Sequence, residues 1–319
     1  MDESKKGIAL FITLLVIASI LSIIAVSFSY LDKAHDDAGK ASSLIQANLL
    51  YTNTTNILKT QFPGGKQNAG TPGGQQGSSN SQALYFLYTS PIILNEEISG
   101  FSLNLQCQPL MSGVPMQWLD EQFSPNVPER YEAARKVLTY IIEEYRIEEP
   151  YELEQLIFSA ITGIKEYNSD FEPRIKPPRG IHSKQQFERI LFEYRLNHDD
   201  PNVLKVPWEQ YFVFSDIDKE SVIDGKYLTA EVISAYFEIP LDIVREQWVN
   251  DPDTNSKPSL KDFLADNGVY TPPSPKVFSD KELNAMHCEE SYAYRGNHYR
   301  FSFDYKDGRS LNFEFHEKL

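Results

Sequence analysis

The chain has 319 residues, and its 45 aspartate and glutamate residues outnumber its 30 lysine and arginine residues, which gives a formal net charge of −15. A surface this acidic repels phosphate backbones, which argues against nucleic-acid binding as the main function. Hydrophobic residues make up 41% of the chain and charged residues 24%, which is ordinary for a folded globular protein and argues against global disorder.

The first element is an apolar run behind a short basic leader. Lys5, Lys6 and Gly7 precede an uninterrupted apolar run over residues 8–28. About 20 helical residues cross the hydrocarbon core of a membrane, so we expect a single transmembrane span here. The lysines before it predict an inner-membrane protein whose amino terminus is cytoplasmic and whose bulk is periplasmic.

Three interpretations of this run stay open. It is a cleaved secretory signal, a plain amino-terminal anchor, or the start of a prepilin whose leader, residues 1–7, is cut between Gly7 and Ile8. The apolar run is longer than the roughly 7–15 residues of a secretory signal. Basic residues that end in a glycine directly before an apolar start favour the prepilin.

Apolar residues continue at helical spacing beyond the apolar run, so we expect one long helix over residues 8–60. The apolar positions of its second half fall on one stripe. This stripe consists of Leu31, Ala34, Ala38, Ala41, Leu44, Ile45 and Leu49. We expect the second half of the helix to pack on a globular domain through this stripe.

The next segment, residues 61–82, is rich in glycine, serine and glutamine, which predicts a flexible loop. Strand patterns then occur in two groups, one before and one after a long helical block. They span residues 84–88, 92–94, 101–105, 291–294, 298–305 and 310–316. The Asp307-Gly308 dipeptide predicts a hairpin between the last two strands. We assign residues 83–114 and 276–319 to one β domain.

Capping signals and apolar periodicity predict that residues 115–275 form an inserted all-α domain. The predicted helices span residues 128–146, 150–167, 184–197, 229–239 and 240–248, and one more begins after Ser259. A further short helix is expected behind Ser279 and Glu282. The fold class is therefore α+β, with an antiparallel sheet interrupted by a large helical insertion.

Two short segments resemble a known family. Residues 99–105 contain a glycine followed by Leu103-Asn104-Leu105, and residues 223–232 lead into a helical pair. Together with the glycine-preceded apolar helix, they resemble the K-type minor pseudopilins of bacterial type II secretion systems. The resemblance implies a pilin-like fold and a subunit that caps the tip of a periplasmic pseudopilus and helps initiate its assembly for protein secretion.

The resemblance also implies partners and processing. Prepilin peptidase would cleave after Gly7, Ile8 would become the methylated amino terminus, and other minor pseudopilins would bind through the N-terminal helix. The fifth residue after cleavage would be Ile12, where most pilins have a glutamate. An unpaired charge at that depth in lipid is costly. A subunit at the tip has no neighbour to pair with such a glutamate, so its absence implies the tip position.

A calcium loop is one interpretation of Asp251, Asp253, Asn255 and Asp262, which follow the 1, 3, 5, 12 spacing of an EF-type loop. The sixth position is Ser256 where such loops have glycine. A polar loop that ends in a helix cap at Ser259 is the favoured alternative. Calcium is therefore the one cofactor that we consider, and the sequence predicts no other.

The two cysteines, Cys107 and Cys288, flank the predicted insertion. In an oxidising periplasm they would form a disulfide that joins the two halves of the β domain. Such a bond would close a loop of about 180 residues and would stabilise the fold by about 5 kcal/mol in the chain-entropy model. Two buried free thiols are an equally open alternative.

No catalytic residue is predicted, because the sequence contains no HExxH, GxSxG or phosphate-loop motif. We therefore interpret the protein as a non-enzyme. Two other function classes stay open beside secretion. One is a minor pilin of a type IV pilus or competence system, and the other is an ordinary periplasmic binding protein anchored in the inner membrane.

Overall fold

A computed structural model describes residues 3–62, 76–96, 101–163, 180–249, 257–280, 282–294 and 297–316. For residues 3–28, 32, 36, 76–82, 96, 101 and 294 it describes the backbone and not the side chains. The predicted α+β class is confirmed, because long helices and an antiparallel sheet share the chain.

Two helices come first. Helix α1 spans Glu3–Gln61 and helix α2 spans Gln76–Thr89. For residues 76–88 the predicted loop and strand are wrong. Leu84, Leu87 and Tyr88 recur at positions i, i+3 and i+4, and they pack on one core with α1 and the sheet. The run Leu-Tyr-Phe-Leu-Tyr therefore has the helical period rather than the strand period of two.

The first two strands are β1 (Ile92–Glu96) and β2 (Phe101–Pro109), which pair in antiparallel fashion. The chain then leaves the sheet for 175 residues, as counted from Leu110 to Asn284. It returns to add three antiparallel strands. These strands are β7 (Ala285–Tyr294), β8 (Asn297–Lys306) and β9 (Arg309–His316). The strand order is β1-β2-β7-β8-β9, so β2 and β7 are neighbours although the insertion separates them.

Most of the described insertion is helical. Its helices are α3 (Pro128–Glu144), α4 (Pro150–Thr162), α5 (Lys184–His198), α6 (Trp208–Tyr211), α7 (Ala230–Phe237), α8 (Leu241–Gln247) and α9 (Leu260–Asp266), with 3-10 turns at Met116–Leu119 and Asn202–Leu204. Proline at the first helical position opens α3 and α4. Serine or threonine side chains cap α5, α7 and α9.

The insertion also contains short strands, which the prediction of an all-α domain lacks. They are β3 (Val114–Pro115), β4 (Phe212–Val213), β5 (Ile223–Asp224) and β6 (Phe278–Ser279). They form two parallel pairs, β3 with β4 and β5 with β6. A strand of two residues has no periodicity, so the sequence pattern cannot reveal it.

The end of helix α4 and one short predicted helix differ most from the prediction. Helix α4 ends at Thr162 because Gly163 adopts a left-handed conformation with φ 69°. The predicted helix over residues 150–167 is therefore too long at residue 163, and residues 164–167 lie outside the described residues. The short helix expected behind Ser279 and Glu282 is wrong, since residues 282–284 are not helical. Glu282 instead accepts hydrogen bonds from Tyr227 Oη and Lys226 Nζ.

The hairpin between β8 and β9 is confirmed. Asp307 and Gly308 form its two-residue loop with φ values of 50° and 79°, as a type I′ turn requires. A bulge at Asn312, whose φ is 51°, then shifts the register of β9. The turn pairs Leu311 with Asp304, and the bulge after it places Phe315 opposite Phe301, so Leu311 and Phe315 lie on opposite faces of the sheet.

Candidate functional site

The candidate site is helix α1, which has one face docked on the sheet and another face exposed. The docked face, together with Phe62 directly after the helix, combines small and hydroxyl-bearing residues with larger apolar ones. Its buried residues are Ser43, Ala47, Thr54, Thr55, Leu58 and Phe62. Opposite them the sheet presents the aromatic side chains of β8, which are Tyr299, Phe301, Phe303 and Tyr305. Small residues let the helix approach these rings closely, and Leu58 and Tyr51 pack on the same core beside them.

Tyrosine hydroxyl groups fix the helix along this seam. Tyr292 donates a hydrogen bond to the carbonyl oxygen of Ser43 at 2.6 Å, and Tyr305 donates one to that of Phe62 at 2.8 Å. From the helix, Tyr51 donates to Ser310 Oγ at 2.7 Å. These bonds hold both ends and the middle of the docked segment, so the aromatic face of the sheet also sets the position of the helix.

One carboxyl group is buried in the same seam. Glu290, in the middle of β7, is 0% exposed, and Thr54 Oγ1 donates a hydrogen bond to its Oε2 at 2.9 Å. Burial raises the pKa of Glu290 to about 7, and the hydrogen bond from Thr54 opposes this rise. Glu290 is not among the predicted site residues, because it directly precedes the predicted strand over residues 291–294 and a single glutamate there gives no sign of burial.

The apolar stripe of α1 lies on the exposed face. Leu31, Ile45 and Leu49 are 60%, 63% and 56% exposed, and the three alanines of the stripe are exposed as well. The prediction that the second half of the helix packs on a domain is confirmed, but the contact is not made through this stripe. Helical periodicity correctly identifies an apolar face, but it does not say which of two faces the domain covers. No part of the chain that the structure describes covers this stripe. An uncovered apolar helix face is typical of an interaction surface.

A second polar cluster joins the insertion to the opposite face of the sheet. Asp304 of β8 is buried and accepts hydrogen bonds from Ser215 Oγ at 2.5 Å, Asn312 Nδ2 at 2.8 Å and His287 Nδ1 at 2.7 Å. Ser215 belongs to the insertion, whereas Asn312 and His287 belong to β9 and β7. The bulge at Asn312 thus brings its amide group to the carboxylate that anchors the insertion.

The histidine of this cluster responds to its acidic neighbours. Burial lowers the pKa of His287, but the hydrogen bond and charge of Asp304, with the charges of Glu289 and Glu314, exceed that effect, so the net pKa is raised. The cluster has no nucleophile next to the histidine, because Ser215 donates to the aspartate instead. Its geometry is that of a structural junction.

The segment that resembles the family, residues 223–232, forms a turn around Asp224. This buried carboxylate accepts hydrogen bonds from the backbone N–H groups of Leu283 at 2.8 Å and Lys226 at 3.0 Å. Burial raises its pKa to about 6, although the backbone hydrogen bonds act in the opposite direction. The next position requires a glycine, because a Cβ atom on Gly225 would lie 2.6 Å from the carbonyl oxygen of Ser279.

The structure joins Cys107 and Cys288 in a disulfide between β2 and β7. Both residues are buried in the core beneath α1 and α2. The bond therefore links the strand before the insertion to the strand after it.

The other candidate residues are only partly described. Asp251, Asp253 and Asn255 lie outside the described residues, and no group of three metal-binding side chains occurs among those that the structure describes. Asp262 is exposed, and its N–H group and carboxylate both contact Ser259 Oγ at the start of α9. The calcium site stays a prediction.

The processing residues Gly7 and Ile8, with Ile12, lie in α1, but their side chains are outside the described part. Within the described residues, no helix combines the length and the apolar character needed to cross a membrane. Cleavage and the transmembrane span over residues 8–28 therefore stay predictions.

Comparison with known proteins finds a match in structure only. No protein-family model and no curated protein sequence matches the chain. The chain is similar to a chain in the crystal structure of the GspK–GspI–GspJ complex from the type 2 secretion system of enterotoxigenic Escherichia coli, with a TM-score of 0.54 and 9% sequence identity. The similarity covers 88% of this chain and 99% of that one. The chain therefore has the fold of a component of that complex, and the resemblance to K-type minor pseudopilins is confirmed at the level of the fold.

Proposed function

We propose that this protein is a K-type minor pseudopilin that caps the tip of a periplasmic pseudopilus and helps initiate its assembly for type II protein secretion. Its role is structural rather than catalytic. The observation that carries the proposal is the division of α1 into a docked face and an exposed apolar stripe, on a chain whose fold matches a component of the GspK–GspI–GspJ complex. Other minor pseudopilins would cover this stripe.

The tip position is supported by the size and place of the insertion. It occupies residues 110–284, more than half of the chain, between two neighbouring strands of the sheet. A subunit inside a regular helical fibre must leave room for the next subunit above it. A bulky insertion on the sheet obstructs that stacking, whereas the end of the fibre accepts it. The isoleucine at position 12, in place of the usual pilin glutamate, agrees with this position.

Anchoring and processing follow from the same proposal. Residues 8–28 would hold the subunit in the inner membrane before assembly, with the remainder of the chain in the periplasm. Prepilin peptidase would cut between Gly7 and Ile8, and the new amino terminus would be methylated. The disulfide between Cys107 and Cys288 agrees with an oxidising compartment.

The test is binding to the other minor pseudopilins of the source organism. We expect the double substitution Ile45→Asp and Leu49→Asp to weaken co-purification by about tenfold or more, because a charge in a buried interface anchor costs at least about 1.4 kcal/mol. Ile57→Asp is the matched control, since Ile57 is also 63% exposed on α1 but lies outside the stripe.

The same variants distinguish the competing functions in the cell. If the proposal holds, the stripe variant stops exoprotein secretion and Ile57→Asp does not. Loss of piliation or DNA uptake with intact secretion would assign the protein to a type IV pilus or competence system. A stripe variant that behaves like wild type in all of these assays would contradict an assembly role and favour an anchored binding protein.

A further inference from the structure

The seam between α1 and the sheet contains an ionisable group in an apolar surrounding. Glu290 is 0% exposed, and its two cross-strand partners are Leu105 of β2 and Phe301 of β8. Its side chain lies on the face of β7 that α1 covers, because the flanking Cys288 and Tyr292 belong to the same core. A change at this carboxyl group therefore acts directly on the contact between helix and sheet.

Hydrogen bonds offset little of the free energy that burial of this carboxylate costs. Thr54 Oγ1 donates the one hydrogen bond that reaches it, to Oε2 at 2.9 Å, and Oε1 has no hydrogen-bond partner among the described residues. A single neutral donor offsets only a small part of the free energy needed to remove a carboxylate from water. The docked arrangement thus favours the neutral acid, which agrees with the rise of its pKa to about 7.

The surrounding groups do not change this balance in the physiological range. In the described part of this core, the titratable groups from α1, α2 and the sheet are tyrosine hydroxyls. They belong to Tyr51, Tyr88, Tyr292, Tyr299 and Tyr305. Tyrosine ordinarily titrates near pH 10. Burial raises the pKa of Tyr88 and Tyr305 further. Among the described residues, the influences on the pKa of Glu290 are burial, which raises it, and the hydrogen bond from Thr54, which lowers it.

We propose that Glu290 is a pH-sensitive lock, which holds residues 43–62, the end of α1 and the residue after it, on the sheet when it is neutral and loosens them when it is ionised. In an undocked helix the carboxyl group would contact water and ionise near its ordinary pKa of about 4.5. Docking is then strongest below that pH, weakens as the pH rises toward about 7, and stays constant above it. The docking equilibrium changes by at most about tenfold per pH unit in this window.

The experiment measures hydrogen exchange of residues 43–62 by mass spectrometry on the full chain in detergent. Rates are corrected for intrinsic exchange at each pH between 5 and 8. In the wild-type protein we expect the opening equilibrium constant of this segment to increase by up to about a hundredfold as the pH rises. The midpoint, at which this constant reaches half of its plateau value, should lie near pH 7. Glu290→Gln, which is permanently neutral and nearly isosteric, should lose this dependence. Glu289→Gln is the matched control, because Glu289 is the adjacent, half-exposed carboxylate that pairs with Arg300.

A second variant keeps the test decisive if Glu290→Gln does not fold. Thr54 donates to the carboxylate and so favours the ionised form, and Thr54→Val should shift the midpoint to higher pH. A pH-independent wild type, an unchanged dependence in Glu290→Gln, or a midpoint that Thr54→Val leaves in place or lowers would overturn the proposal. The measurement needs no partner protein, so its outcome is independent of the proposed role in secretion.

Discussion

Cys107 and Cys288 are direct cross-strand partners in β2 and β7, although they are 181 residues apart in the chain. Their disulfide closes the sheet at the point where the insertion leaves it and returns. The strand pairing already brings the two residues together, so the bond mainly restricts the unfolded chain. The continuity of the sheet thereby depends less on the folding of the insertion.

Removal of this bond should destabilise the protein without changing its fold. We expect the double variant Cys107→Ser and Cys288→Ser to lose about 2–5 kcal/mol of unfolding free energy, because a long loop is no longer closed in the unfolded state. Urea unfolding of wild type and variant, followed by circular dichroism, measures this difference. Equal stability of the oxidised wild type and the double variant would show that the bond contributes nothing.

The buried Asp304 should matter far more than an exposed aspartate that makes a similar connection. Asp304→Asn weakens one hydrogen bond to the insertion, from Ser215, and two within the sheet, from His287 and Asn312. We expect their combined weakening to cost about 2 kcal/mol. Asp218 also links the insertion to β8, through Lys306, but it is 79% exposed. Asp218→Asn should cost no more than about 0.5 kcal/mol. Equal losses in chemical unfolding would contradict the assignment of Asp304 as the anchor.

The pair of His287 and Asp304 predicts a loss of stability at rising pH. The folded-state pKa of His287 is raised, so its stabilising effect is fully present below its ordinary pKa and disappears as the pH rises through the raised value. The stability difference between wild type and His287→Gln should therefore shrink with increasing pH. The exposed His298 provides the control variant His298→Gln. A difference that grows with pH would mean that the histidine is neutral in its pair.

Two glycines should respond to alanine in opposite directions. Gly225→Ala places a Cβ atom 2.6 Å from the carbonyl oxygen of Ser279, and we expect a loss of about 1–3 kcal/mol. Gly39 lies inside α1 with open space around it, so Gly39→Ala should raise helix stability by about 0.5–1 kcal/mol. Thermal melting of the two variants gives the signs directly. A stabilising Gly225→Ala would refute the close approach at Ser279.

Local signals in the sequence predict the elements that local chemistry determines. The Asp307-Gly308 turn and the Ser183 cap are examples, because a turn conformation or a hydroxyl group near a helix start involves only adjacent residues. The run at residues 84–88 shows the limit of such signals. Its length suits a strand, and only its contacts with β2 reveal that the helical period is the correct one.

The candidate site was harder to predict, because tertiary contacts determine it. The stripe around Ile45 is a clear apolar pattern, yet the domain covers the hydroxyl-rich face of Ser43 and Thr54 instead. The reason lies in tertiary contacts, because the covered face packs on the aromatic rings of β8. The burial of Glu290 depends on strands and loops that are far apart in sequence, and so does the cluster around Asp304. No local sequence motif therefore predicts either feature.

The central claim is that this chain is processed and assembled as a minor pseudopilin. The most direct measurement is the amino-terminal mass of the protein extracted from membranes, with and without co-expressed prepilin peptidase. We predict a chain that begins at Ile8, with a methylated amino terminus, only when the peptidase is present. A chain that keeps Met1, or that begins at Phe28, in both samples would contradict the assignment.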